Sequence, residues 1–176
     1  IKTCSKEKID ITYSGVEEVI WKISTNKDYL ESLTDCIFTF SDNKKLFIGN
    51  NKYETVKLLK NNNLKYPRFI IPKTINDLHE FYNNNNKCPL ILKPIKGKGS
   101  VGIQKINNLD QINDLKINLS DMICQEMIGN DDTEYTVGCY QNMSGEIMDP
   151  IIFRRRLHNG HTVFAEIEDN LKIKNY

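Results

Sequence analysis

Gly97-Lys98-Gly99-Ser100-Val101-Gly102 spells G-x-G-x-x-G, and Lys93 stands just ahead of it. Glycines let backbone N–H groups approach phosphate oxygens closely and let a loop open and shut. A lysine adds a compact positive charge for the same anion. The chemistry on offer is the binding of a phosphate-bearing ligand. The motif alone is weak, because unrelated nucleotide folds share it. It fits equally an exposed hairpin with a solvated Lys96/Lys98 tip.

The flanks narrow the choice. A dinucleotide fold needs a helix directly after the loop, so that its amides meet the pyrophosphate. Here the β-rich Ile103-Gln104-Lys105-Ile106 follows. Protein kinases carry their phosphate lysine after the loop and need H-R-D and D-F-G sequences. Here the lysine comes first and neither sequence occurs. A P-loop closes on Gly-Lys-Ser/Thr and opens a helix, which is also absent. What remains is a strand ending in Lys93-Pro94, a pliant tip and a returning strand.

The elements that hold this loop can be traced from patterning. Ile9–Tyr13 reads as a strand, Ser14-Gly15 as a turn, and Val16–Ser24 as a helix with apolar residues at helical spacing. Cys36–Phe40 is a second strand, so the opening alternates as a doubly wound α/β unit does. Asn50–Asn62 is the next helix, which Pro67 prevents from resuming. Phe69–Ile71 is a strand, Ile75–Tyr82 a helix and Pro89–Lys93 the buried-looking strand before the glycines. Ile103–Ile106, a helix at Leu109–Leu115 and a strand at Met122–Met127 follow. Glu134–Gln141 and Glu146–Arg154 form a hairpin, Thr162–Ile167 is the last strand, and a helix starts at Asp169.

Bulk properties exclude several classes. A net charge of +1 leaves no basic surplus for nucleic acid or an anionic membrane. No apolar run nears the roughly 20 residues of a membrane-spanning helix, and Ile1–Asp10 has no signal-peptide stretch. The five cysteines form no C-x-x-C pair, which reads as reduced thiols of a cytoplasmic protein. His158-Asn159-Gly160-His161 lies in a glycine-containing turn without a third ligand, a surface loop rather than a metal site. Arg154 and Arg156 share a strand face that could meet a phosphate or an acidic substrate, while Arg155 points away.

Taken in order, these segments resemble the ATP-grasp family. Asn50-Asn51-Lys52-Tyr53-Glu54-Thr55 looks like the opening of its first helix, with Asn51 where Asp is usual. Leu64-Lys65-Tyr66-Pro67 looks like the following turn. Pro89-Leu90-Ile91-Leu92-Lys93-Pro94 with Gly97–Gly102 is similar to its lysine strand and phosphate loop. Gln125-Glu126-Met127-Ile128-Gly129 and Glu134-Tyr135-Thr136-Val137 resemble its adenine hinge and ribose strand. Asp149-Pro150 leading to Arg154-Arg155-Arg156 is similar to the carbamoyl-phosphate-synthase large-subunit branch.

The resemblance implies roles. Lys52 and Lys93 would contact ATP phosphates, with Gly97, Gly99, Ser100, Val101 and Gly102 folding over them. Glu126 would face the adenine amino group, Met127 and Ile128 would offer backbone hydrogen bonds, and Glu134 would accept from the ribose. Ile91, Ile103 and Met127 could sandwich the base.

The fold expected is an α/β ATP-grasp fragment of α+β lobes, divided in three. Residues 1–48 would end a doubly wound pre-ATP-grasp domain, 49–118 form the small lobe and 119–176 begin the large lobe. The full protein would use ATP and Mg²⁺ to activate a small-molecule carboxylate as an acyl phosphate for an amine or thiol. No magnesium-binding Glu-x-Asn-like segment follows Glu166–Asp169, so no metal ligand or catalytic residue is assigned here, and this stretch alone is expected to be inactive. The alternatives are a non-catalytic nucleotide-binding regulatory module and an α/β interaction domain without nucleotide.

Overall fold

The computed structural model describes residues 1–97, 100–130, 134–142, 144–158 and 161–175. It divides into two units, Ile1–Tyr66 and Pro67–Tyr176.

The first unit runs α1 (Lys2–Lys6), β1 (Ile11–Thr12), α2 (Glu17–Thr25), α3 (Lys27–Ser32), β2 (Ile37–Phe38), α4 (Asn43–Asn50) and α5 (Lys52–Asn61). Strands β1 and β2 pair in parallel, Ile11 opposite Ile37 and Thr12 opposite Phe38, as a helical crossover allows. Cys36, Phe38 and Phe40 are buried against Cys4, Ile20, Ile23 and Leu30. Helices α1, α3 and α4 are not expected from the sequence pattern. None of the three buries a residue, so none carries the apolar stripe that periodicity detects. The helix expected from Asn50 instead begins afresh at Lys52. Asn51 sits in extended conformation, and its Oδ1 accepts from the Tyr53 and Glu54 N–H groups at 3.1 Å each. An N-cap needs a short side chain with an acceptor oxygen, which Asn supplies as Asp does.

The second unit runs β3 (Phe69–Ile70), α6 (Ile75–Asn84), β4 (Leu90–Pro94), β5 (Gln104–Ile106), α7 (Leu109–Asn113), β6 (Met122–Glu126), β7 (Glu134–Gly138), β8 (Ile151–His158), β9 (His161–Ile167) and α8 (Leu171–Lys174). Strands β3, β6, β4 and β5 form one antiparallel sheet in that order, and β7, β8 and β9 a second.

A capping box starts α6. The Thr74 hydroxyl accepts from Asp77 N–H, and Asp77 accepts from Thr74 N–H. The helix buries Leu78 and Tyr82. They join Leu90, Leu92, Ile106, Ile112, Leu119, Met122 and Cys124 in one core. Cross-strand partners in an antiparallel ladder share a face, and successive residues alternate. Leu90, Leu92, Ile70, Ile106, Met122, Cys124 and Glu126 therefore lie on the helix-covered face. Phe69, Ile91, Lys93, Lys105, Ile123 and Gln125 lie on the other.

The expected hairpin exists, but its ladder is interrupted. Strand β7 stops at Gly138 and β8 starts at Ile151, with one isolated bridge, Gln141 to Ile147, between them. Pro150 has no N–H to donate, and β8 begins directly after it. Strand β8 then runs past Arg154 to His158, beyond the expected end. Every residue of β9 is exposed, including Val163, Phe164 and Ile167. Among the described residues no helix is long and apolar enough to cross a membrane.

Candidate functional site

The site builds outward from β4. Leu90 and Leu92 are fully buried beneath α6 and α7, which turns the alternate residues Ile91 and Lys93 to the opposite face. Lys93 is half-buried there, opposite Ile123 of β6. Pro94 ends the strand, and Ile95 N–H donates to the Asp121 carbonyl at 2.7 Å.

Two glycines of the loop have no ready substitute. Gly97 has φ 136° and Gly102 φ 74°. A Cβ on Gly102 would lie 3.0 Å from Pro94 Cγ, so the loop folds back onto the proline behind the lysine. Ser100 also has positive φ, 59°, and Val101 is 78% exposed. The loop thus returns to β5 presenting an apolar side chain to solvent. Lys98 and Gly99 lie outside the described residues.

The segment expected to form a hinge, Met127 and Ile128, sits at the other end of the β4–β6 pair. Met127 N–H donates to the Pro89 carbonyl at 2.8 Å, which uses that donor, and the Met127 carbonyl and the Ile128 N–H follow beyond β6. Ile128 is exposed.

Glu126 falls on the helix-covered face. Its carboxylate accepts from Arg68 N–H at 2.9 Å and from Arg68 Nε at 2.7 Å. Burial alone would raise its pKa. The Arg68 N–H, the Arg68 guanidinium and the nearby Asn85 amide outweigh that and hold the carboxyl below its ordinary value. Asn85 lies close enough to favour the charged form, although its amide meets no hydrogen-bond geometry. Gln125, 6% exposed, occupies the Lys93 face instead.

Glu134 opens β7 and stands opposite Arg155, whose Nη2 donates to Glu134 Oε1 at 2.9 Å. Arg155 Nη1 donates to Thr162 Oγ1 at 3.2 Å. Arg154 and Arg156 occupy the opposite face. Arg154 Nη1 lies 3.9 Å from Glu166 Oε1, and the Arg156 guanidinium stacks 5.2 Å from the Phe164 ring centre. The hollow that these residues line, about 30 Å³, has room for a water and not for a metabolite.

Lys52 is the first residue of α5 in the N-terminal unit. It is half-buried, and burial lowers its pKa. His158 and His161 pair opposite each other on β8 and β9, and Asn159 and Gly160 lie outside the described residues. Among the described residues no three His, Cys, Asp or Glu side chains converge to hold a metal.

The structure therefore places Lys93 on β4, Gly97 and Gly102 in the loop after it, Met127 and Ile128 just beyond the paired β6, and Glu134 on the second sheet. Sequence reasoning missed Arg68 and Arg155. No local spacing reveals either, because each meets its carboxylate through a strand register that the sequence does not state.

Solved structures with this fold include three synthetases. D-alanyl-alanine synthetase A from Vibrio cholerae O1 biovar eltor str. N16961 matches at TM-score 0.60 and 15% identity, over 88% of this chain and 52% of that one. Carboxyaminoimidazole ribonucleotide synthase from Aspergillus clavatus, complexed with ATP, matches at TM-score 0.65 and 12% identity, over 86% and 40%. N5-carboxyaminoimidazole ribonucleotide synthetase from Thermus thermophilus matches at TM-score 0.60 and 15% identity, over 81% and 37%. The chain spans about half or less of the length of these proteins. No curated protein matches it in sequence. The family model of the ATP-grasp domain matches residues 49–155, well over half of the sequence, and the chain belongs to that family.

Proposed function

We propose that the second unit binds ATP along β4, as part of a ligase that activates a carboxylate as an acyl phosphate. The carrying observation is the order of groups on one strand pair. The hinge backbone lies beside Pro89, Lys93 comes four residues on, and the positive-φ glycines follow Pro94. At about 3.4 Å per residue, Pro89 to Pro94 spans roughly 17 Å. That suits an extended nucleoside triphosphate, with its base at the Met127 end and its phosphates at Gly97–Gly102.

In this reading Lys93 binds phosphate, and the amides of Gly97 and Ser100–Gly102 close over it. The Met127 carbonyl and Ile128 N–H pair with the adenine edge, and Ile91 packs on the base. Glu134 accepts from the ribose diol. Both oxygens of the Glu126 carboxylate are engaged by Arg68 on the far face, so we assign the adenine contact to the hinge backbone. The part of Lys52 at the phosphates rests on resemblance alone.

Mg²⁺ would supply charge neutralisation for phosphoryl transfer in such a ligase. The described residues do not make its site, and no step is derived through it. The finer likeness to the carbamoyl-phosphate-synthase branch rests on Asp149-Pro150 and the arginine run. The acceptor is taken to be a small carboxylate, joined to an amine or thiol.

Calorimetry with ATP on the full-length protein tests this reading. Lys93→Ala should weaken binding at least tenfold, a loss of about 1.4 kcal/mol or more, while Lys98→Ala should change it little. Equal losses would show that the phosphate lysine is misplaced, and no heat at millimolar ATP would remove the proposal.

A further inference from the structure

We infer that Arg155 is a positioning residue that orients the Glu134 carboxylate toward a ribose diol. The inference deepens the ATP reading above and rests on it.

Strand β8 is central in its sheet, and its register sets Arg155 between Glu134 on β7 and Ala165 on β9. The guanidinium reaches both ways. Nη2 donates to Glu134 Oε1 at 2.9 Å, and Nη1 donates to Thr162 Oγ1 at 3.2 Å. One planar group thereby ties all three strands. Its Nε is buried and makes no hydrogen bond among the described residues, so the two Nη contacts alone fix the plane.

The carboxylate is held at one oxygen. Oε1 takes the arginine, while Oε2 accepts nothing among the described residues. A carboxylate is acceptor-only, so Oε2 is the atom offered to a donor such as a sugar hydroxyl. Its direction is set by the Oε1 contact.

A stability role does not account for this arrangement well. The two side chains are 30% and 38% exposed, and half-exposed ion pairs add little to folding. Their fixed geometry matters more, because an unanchored glutamate would have to be ordered at the moment of binding. Arginine suits the task better than lysine, since its fork meets Glu134 and Thr162 at once.

The test compares ATP with 2′,3′-dideoxy-ATP, which lacks the diol, in titrations of the full-length protein. Wild type should bind ATP about tenfold more tightly than the dideoxy analogue. Arg155→Ala should erase most of that preference by weakening ATP about five- to tenfold while leaving the analogue unchanged. Arg155→Lys should keep part of it. Thr162→Val, which retains the charge and removes one tether, should fall between wild type and Arg155→Ala. Equal weakening of both ligands by Arg155→Ala, or an intact preference, overturns the positioning role while the ATP reading stands. A wild type that binds ATP and the analogue equally overturns the ribose assignment of Glu134, and the inference with it.

Discussion

Arg68 and Glu126 are joined through both backbone and side chain. Glu126 N–H donates to the Arg68 carbonyl at 3.0 Å, and the carboxylate takes the Arg68 N–H and Nε. This clasp fixes the end of β6 just where the chain runs on to Met127 and Ile128.

Removing the clasp should cost stability in a pH-dependent way. Arg68→Ala should lose about 1–2 kcal/mol in urea unfolding, toward the low end because the Arg68 side chain is half-exposed. The folded Glu126 carboxyl titrates below its ordinary value of 4.5. Its contribution is therefore complete above that pH and disappears as pH falls through the folded value. Unfolding curves between neutral and acid pH should show this loss in wild type and less of it in Glu126→Gln. Parallel curves would refute it.

Gly102→Ala should damage the loop more than Gly145→Ala damages its turn. Both have positive φ, 74° and 86°, so both pay the left-handed backbone penalty of about 1–2 kcal/mol. Only Gly102 adds a collision, with Pro94 Cγ at 3.0 Å, whereas nothing lies within 4 Å of Gly145. ATP titration and thermal melts of the two variants should separate them. Matching melts and unchanged affinity would disprove the contact.

Leu78→Ala should destabilise the second unit by about 2–5 kcal/mol, the range for a buried leucine truncated in a closed core. Leu78 is 0% exposed between β4 and α7 residues, so little can collapse into the gap. Chemical denaturation measures the loss, and a change below about 1 kcal/mol would show a looser core.

The cysteines should label in two classes. Cys139 is exposed, whereas Cys36 and Cys124 are buried, and burial pushes the Cys124 thiol up to about 12. The thiolate is the reactive form. A thiol reagent at mildly alkaline pH should therefore modify Cys139 in the native protein and reach Cys36 and Cys124 only after denaturation. Rapid native labelling of Cys124 would contradict the packing.

The sheet that carries Lys93 was largely legible in the sequence. Its strands alternate or run apolar, and Pro and Gly punctuate them clearly. The strand ending at Met127 in the sequence reading ends at Glu126 in the structure, a difference of one residue. The short helices of the first unit were not legible, because they bury nothing that repeats. The two arginine–carboxylate pairs were hidden for another reason. Arg68 and Glu126 lie 58 positions apart, and Glu134 and Arg155 lie 21 apart. Their meeting depends on strand register, which a single chain of letters does not state.

Lys93 and Leu92 are consecutive residues with opposite surroundings, and that has a consequence for how this site tolerates change. One residue inserted between Leu90 and Lys93 would swing the ammonium into the layer held by Leu78 and Ile112, and push a leucine outward. The placement of the charge is thus enforced from behind, by greasy neighbours that never meet a ligand. Length variation in this strand should be harder to accommodate than exchange of any single side chain along it.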